Sequence, residues 1–231
     1  ESLSVDIGPR HGGYSLAKLQ EAEEWLIASL NAEGIETRRD VVELGSQEVA
    51  NVEASFQGTA LSEEIIVVGA HFDTVPNSPG ANDNASGVAL LLATARALRD
   101  VPLDRTVRIV FFVNEENPFS GGIQMGSKLY AERCRAKNED IVAMICVDSL
   151  GCFSSEPGSQ NRSLLVSLFA GIPSTGNFVL WLTNRDNQEL LDQLLITFQQ
   201  QSQFPSIGIA TDMKDASRSD HASFWWQDYP A

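Results

Sequence analysis

The chain has 231 residues, 43% of them hydrophobic and 20% charged, a composition that fits one large α/β domain or two small ones. Acidic residues outnumber basic ones 31 to 16, for a net charge of −15, and the pI is near 4.5; a field of that sign repels phosphate backbones and disfavours a nucleic-acid partner. The longest apolar runs, such as Ile141 to Val147, fall far short of the roughly 20 residues that a bilayer span requires, so no membrane span is expected.

In chain order, Ser15 to Asn31 spaces Leu16, Leu19, Ala22, Trp25, Leu26 and Leu30 as one helix face, with Ser15 as N-cap and Gly34 closing the segment. Two short strands are predicted at Thr37–Leu44 and Val49–Phe56. Glu64–Ala70, with Ile65, Ile66, Val67 and Val68 in succession, reads as a strand buried on both faces. Helices at Ser86–Arg99 and Gln124–Lys137 then alternate with strands at Thr106–Val113 and Ile141–Val147. A strand at Asn177–Leu182, a helix at Asn187–Gln201 and a short helix at Asp220–Trp226 complete the pattern. No repeat or linker divides the chain, so a single domain over residues 1–231 is expected. The alternation predicts an α/β fold: a mixed, largely parallel central sheet with helices on both faces.

Of the three cysteines, Cys146 lies in an apolar strand and reads as a buried thiol; no CxxC spacing is present, and a Cys134–Cys152 pair is not expected.

Chemistry collects where the buried strands end. Ile65–Ala70 runs into His71-Phe72-Asp73, Arg108–Val113 into Asn114-Glu115-Glu116-Asn117, and Ile141–Val147 into Asp148. The loop Gly80 to Gly87, which opens the Ser86–Arg99 helix, carries Asp83. In parallel sheets such carboxyl ends share one edge, where ligands gather. Several acids on one edge cost several kcal/mol unless cations neutralise them. Imidazole plus carboxylates without thiolates suits zinc, cobalt or manganese in a catalytic role. Two divalent ions would balance Asp83, Glu116, Asp148 and a bridging hydroxide. Asp73 can accept the second ring N–H of His71 and fix its tautomer. The adjacent Glu115 and Glu116 leave one carboxylate for metal and one for proton transfer.

At these residues the sequence resembles the co-catalytic zinc aminopeptidases of peptidase clan MH, the group that includes bacterial leucyl aminopeptidase and aminopeptidase S. The resemblance runs from Ile7-Gly8-Pro9-Arg10 to Tyr229-Pro230-Ala231. It rests on His-Phe-Asp at 71–73, Asn-Asp-Asn-Ala-Ser-Gly at 82–87, Asn-Glu-Glu at 114–116 and Ser-Asp-His at 219–221. It implies a zinc-exopeptidase, phosphorylase/hydrolase-like fold and hydrolysis of N-terminal peptide bonds on substrates with a free amine. It also implies residue roles: Asp83 bridges two zinc ions, His71 and Asp148 complete one site, Glu116 binds the other, Glu115 is the general base, and Asp73 orients His71. The family takes a further histidine for the second ion from beyond the Tyr-Pro-Ala stretch, so that ligand is expected to lie outside this chain, with His221 as a substitute if it does not. Many relatives are secreted or in the cell envelope, which is the compartment the resemblance favours.

Two other readings share the fold. One is a glutaminyl cyclase-like transferase at a single zinc, against which Asn84 after Asp83 argues, since cyclases usually place serine there. The other is a metal-free binding domain, against which the retention of Glu115 and four candidate ligands argues. Phe224 and Trp225 are candidates either for a pocket receiving the first side chain or for plain core.

Overall fold

The computed structural model describes residues 1–160 and 172–231. After a short π-helical turn at Ser2–Ile7, the chain forms α1 (Leu16–Ala32), β1 (Arg38–Leu44), β2 (Gln47–Phe56), β3 (Leu61–His71), α2 (Ala85–Leu98), β4 (Arg105–Phe112), α3 (Gly126–Ala136) and β5 (Asp140–Cys146). It continues with β6 (Val179–Thr183), α4 (Gln188–Gln201), β7 (Ser206–Ala210) and α5 (His221–Trp225). Every predicted element is present within a few residues. The strand β7 and the π-helical turn have no counterpart in the sequence reading.

The main sheet has the order β1-β2-β4-β3-β5. β1 pairs with β2, and β2 with β4, in antiparallel fashion. β3 lies between β4 and β5 and runs parallel to both. The sheet is therefore mixed: its parallel half carries the three strands that end in polar clusters, and its antiparallel half carries none. Because β3, β4 and β5 are parallel, His71, the Asn114–Asn117 loop and Asp148 emerge at one edge.

Alternation along β4 sorts side chains to the two faces. Ile109, Phe111 and Val113 join α1 (Leu19, Leu26, Leu30) and α2 (Val88, Leu91) in one core cluster. Val110 and Phe112 join α3 (Tyr130, Ala131, Cys134) and Phe224 of α5 in the other. Helices thus cover both faces, and each Val, Leu, Ile or Phe side chain taken from water contributes about 1.5–3 kcal/mol. Phe224, fully buried, packs edge-on against Phe112 and tilted against Tyr130, so it is core and not the wall of a pocket.

β6 and β7 pair in parallel as a second, two-stranded sheet on which α4 packs. An apolar cavity of about 500 Å³ separates this unit from β5; it is lined by Met144 and Cys146 on one side and Leu180, Leu182, Leu191 and Leu194 on the other. All three cysteines are free: Cys134 is buried, Cys146 half-buried beside Ser219, and Cys152 exposed. Among the described residues no helix is long and apolar enough to cross a membrane.

Candidate metal centre

The last residue of β3 is His71, an almost fully buried imidazole. Its Nε2 lies 3.1 Å from Asp83 Oδ1 and 3.9 Å from Asp148 Oδ1. Ligand atoms of His71, Asp83 and Asp148 all fall within 4.8 Å of one another, the one such group of three among the described residues. On the other side of the ring, Nδ1 faces Asp73 Oδ1 at 3.5 Å and has no closer partner. Nε2 is thereby left for a cation, and Nδ1 faces a carboxylate, as in metal-bound histidines whose far ring nitrogen is held by an acid.

Asp83 reaches the cluster from the loop before α2. α2 is capped by Asn84, whose Oδ1 accepts the Gly87 N–H at 3.0 Å, and it begins at Ala85, one residue before the Ser86 start expected from sequence. The same Oδ1 accepts the Ser149 N–H, and Nδ2 donates to the Val147 carbonyl. Asn84 therefore locks the Asp83 loop to the end of β5, where Asp148 follows. Gly80, at φ +59°, allows this loop its tight approach: a Cβ there would stand 2.3 Å from Thr74 Cγ2 and 2.5 Å from the Asp83 carbonyl. Asp148 accepts hydrogen bonds from Ser219 and Ser149, both at 2.9 Å.

The glutamate pair is positioned by Asp73. Asn114, in the left-handed region at φ 60°, turns the chain at the end of β4. The next two N–H groups, of Glu115 and Glu116, donate to Asp73 Oδ1 and Oδ2, each at 3.1 Å. Asp73, fully buried, thus serves three partners: the His71 ring and both glutamates. The sequence reading assigned it only the first. Glu116 is not within the group of three, and neither is His221, whose Nε2 sits 2.6 Å from the Ala216 carbonyl while its ring packs edge-on against Trp225.

The electrostatics are those of crowded acids. Burial raises the Glu115 pKa well above the carboxylate range; His71 opposes this, and Asp220, Asp73 and Asp148 add to it. Glu116 is pushed up to about 7, again by burial first, with His71 opposing and Asp83, Asp73 and Asp148 adding. Burial works against charge on His71, yet hydrogen bonds with Asp148, Asp73 and Asp83 hold its pKa well above the usual value. For Asp148 burial is likewise outweighed, by the hydrogen bond and charge of His71 and by the two serines, and its pKa falls to about 2. Asp220, completely buried and raised by burial, was not singled out from sequence, although it lies in the Ser219-Asp220-His221 motif. Protons now meet a demand for positive charge that a divalent cation at His71, Asp83 and Asp148 would meet better.

The profile of Peptidase family M28 matches residues 51–231. Protein YfbL of Escherichia coli is 30% identical over 178 residues, covering 72% of this chain and 54% of its own length. Aminopeptidase YwaD of Bacillus subtilis is 51% identical over 53 residues, 23% of this chain and 12% of that protein. The LapA aminopeptidase of Legionella pneumophila superposes with a TM-score of 0.69 at 19% identity, over all of this chain and 58% of that one. Glutaminyl cyclase of Porphyromonas gingivalis gives 0.67 at 21% identity, over 98% of this chain and 77% of that one. The two structures establish a shared fold, and the chain spans about half the length of YfbL.

Proposed function

The chain belongs to peptidase family M28, and from that premise we propose that its strand-end cluster is the metal centre of an aminopeptidase, hydrolysing N-terminal peptide bonds. The observation that carries the reading is the convergence of His71, Asp83 and Asp148 beside a glutamate whose burial raises its affinity for a proton. The name of YwaD supports the substrate class. The residues present fit a divalent ion: the donor set is one imidazole nitrogen and carboxylate oxygens, and His71 Nδ1 turned to Asp73 leaves Nε2 for it. Zinc is the ion this set suits best, with cobalt or manganese as substitutes.

When bound, such an ion polarises the scissile carbonyl and makes the attacking water more acidic. His71, Asp83 and Asp148 would hold it, and Glu116 would help to hold a second ion. Asp73 fixes the His71 tautomer and, through its two backbone hydrogen bonds, the placing of the glutamate pair. Glu115 takes the proton of the attacking water and returns it to the leaving amine, a contribution typically of about 10²–10⁴-fold. The free α-amine of a peptide, cationic or hydrogen-bonding, is received by the surrounding carboxylates. Acetylation removes that charge and adds bulk.

The test is a digest of paired peptides, free and N-acetylated, with the zinc-supplied protein. Mass spectrometry should find a ladder of N-terminally shortened products from the free peptides and none from the acetylated ones. Internal fragments or C-terminal shortening would refute the aminopeptidase reading. A pyroglutamyl product from a peptide beginning with glutamine would favour the cyclase chemistry of the same fold.

A further inference from the structure

Arg10 is the largest fully buried side chain of the described residues, and it has no carboxylate partner within ion-pair distance among them. Among the described residues, every hydrogen bond its side chain makes goes to a backbone carbonyl. Nε donates to Phe72, between His71 and Asp73. Nη1 donates to Leu3, Gly8 and Pro79, at 3.0, 3.1 and 2.9 Å, and Nη2 to Gly80 at 3.4 Å. Its backbone joins in: Arg10 N–H donates to Thr74 Oγ1, and Thr74 N–H to the Arg10 carbonyl. Burial draws the guanidinium pKa down to about 10, with the fields of Asp73 and Asp83 acting the other way, so it stays charged at neutral pH. One side chain thus grips the strand end that carries His71 and Asp73 and the loop that carries Asp83.

The next residue grips the third segment. His11 is also fully buried. Its Nδ1 accepts the N–H groups of Gly13 and Tyr14, at 2.9 and 3.3 Å, which assigns the ring proton to Nε2. Nε2–H donates to the Asn117 carbonyl at 2.9 Å, immediately after Glu115 and Glu116. Phe119 packs on the ring at 5.7 Å. Gly12 follows where no side chain fits: a Cβ there would stand 2.5 Å from Asn114 Oδ1.

We propose that Arg10 and His11 are a positioning bracket that fixes the His71–Asp73, Pro79–Asp83 and Glu115–Asn117 segments relative to one another, and so sets the geometry of the metal centre. This rests on the reading of that cluster as a metal site. Neither residue touches the cluster's ligand atoms in any hydrogen bond described above; they act through the backbone that carries those ligands. A guanidinium suits the task because its planar fork offers five donors in fixed directions, which an ammonium cannot reproduce.

The test uses Arg10→Lys, which keeps the charge and loses the fork, and His11→Asn, whose shorter amide keeps an acceptor for Gly13 and Tyr14 and loses the donor to Asn117. Leu26→Ala, a core truncation in α1 with a comparable loss of Tm, is the control. Amide exchange is read in the metal-free protein, and zinc affinity by competition with a chromophoric chelator. Arg10→Lys should speed exchange in residues 71–84, His11→Asn in residues 115–119, and each should weaken zinc binding by about 10-fold or more. Leu26→Ala should leave zinc affinity unchanged. Should Arg10→Lys fail to fold, His11→Asn decides alone. Wild-type exchange rates in these segments, or zinc affinity that falls equally in Leu26→Ala, would overturn the bracket. A wild-type protein that takes up no zinc would instead overturn the metal-site reading, while the exchange data still judge the bracket.

Discussion

Asp73 Oδ1 accepts the backbone N–H of Glu115 at 3.1 Å while lying 3.5 Å from Nδ1 of His71. One buried oxygen therefore relates the ring that would bind metal to the residue that would carry the proton. His71 ends β3 and Glu115 lies in the loop that follows the neighbouring parallel strand β4, 44 positions further along the sequence. The relation makes each of them sensitive to changes at the other.

Glu115→Gln keeps the size of the side chain and its backbone hydrogen bond to Asp73, and removes the proton acceptor. We expect kcat on aminoacyl anilides to fall by at least about 10²-fold with metal content retained. Loss of metal in this variant would reassign Glu115 as a ligand.

Asp73→Asn supplies only one acceptor oxygen where two N–H groups and an imidazole now converge, and sets an NH₂ against one of the two donors. Zinc affinity should fall by about 10–100-fold, as when other carboxylates that hold the far nitrogen of a metal-bound histidine are replaced. Equilibrium dialysis against buffered zinc measures it, and affinity equal to wild type would show that Asp73 does not orient His71.

The metal-free protein should be less stable at pH 8 than at pH 5. Glu116 has a pKa of about 7 in the fold against an ordinary 4.5, so the folded state favours its protonated form and stability declines as pH rises from about 4.5 to about 7. Glu115 and Asp220, also raised, act in the same direction. The contribution of His71, raised in the fold, is complete below its ordinary 6.5 and fades as pH climbs through the folded value. Asp148 limits the acid side: held at about 2 against 3.8, it stabilises above 3.8 and loses that contribution as pH falls toward 2. Thermal melts in chelator at the two pH values decide this, and zinc should reverse the order because its binding displaces those protons. A chelated protein with its higher Tm at pH 8 would contradict the assignment.

One ion per 231-residue chain should be held firmly, because His71, Asp83 and Asp148 supply three ligands and Glu116 stands outside that group. Elemental analysis after dialysis measures the ratio. Two ions of equal tenacity would mean that Glu116 has a further ligand in this chain, with His221 the first residue to substitute.

What the sequence determined by itself was local. Continuous apolar runs such as Ile65–Val68 and Ile109–Val113, short and rich in β-branched and aromatic residues, read as buried strands, and polar residues that follow them abruptly lie at strand ends. From this the α/β class, the sheet's parallel site half, and His71, Asp73, Asp83, Glu115, Glu116 and Asp148 as site candidates were all legible. The strand β7 was not, because Ser206-Ile-Gly-Ile-Ala is short and has a glycine at its centre. Only the tertiary structure decided the strand order β1-β2-β4-β3-β5, the burial of Phe224 in the core, the engagement of His221 with Ala216, and the reach of Arg10 and His11 across 62 and 106 positions to the strand-end loops. The reason is physical. Hydrophobic period records which face of an element is buried, and that is a property of neighbours in sequence. A side chain that donates to backbone carbonyls far along the chain leaves no such record, since every residue offers the same carbonyl, and which ones it meets is set only when the strands have paired.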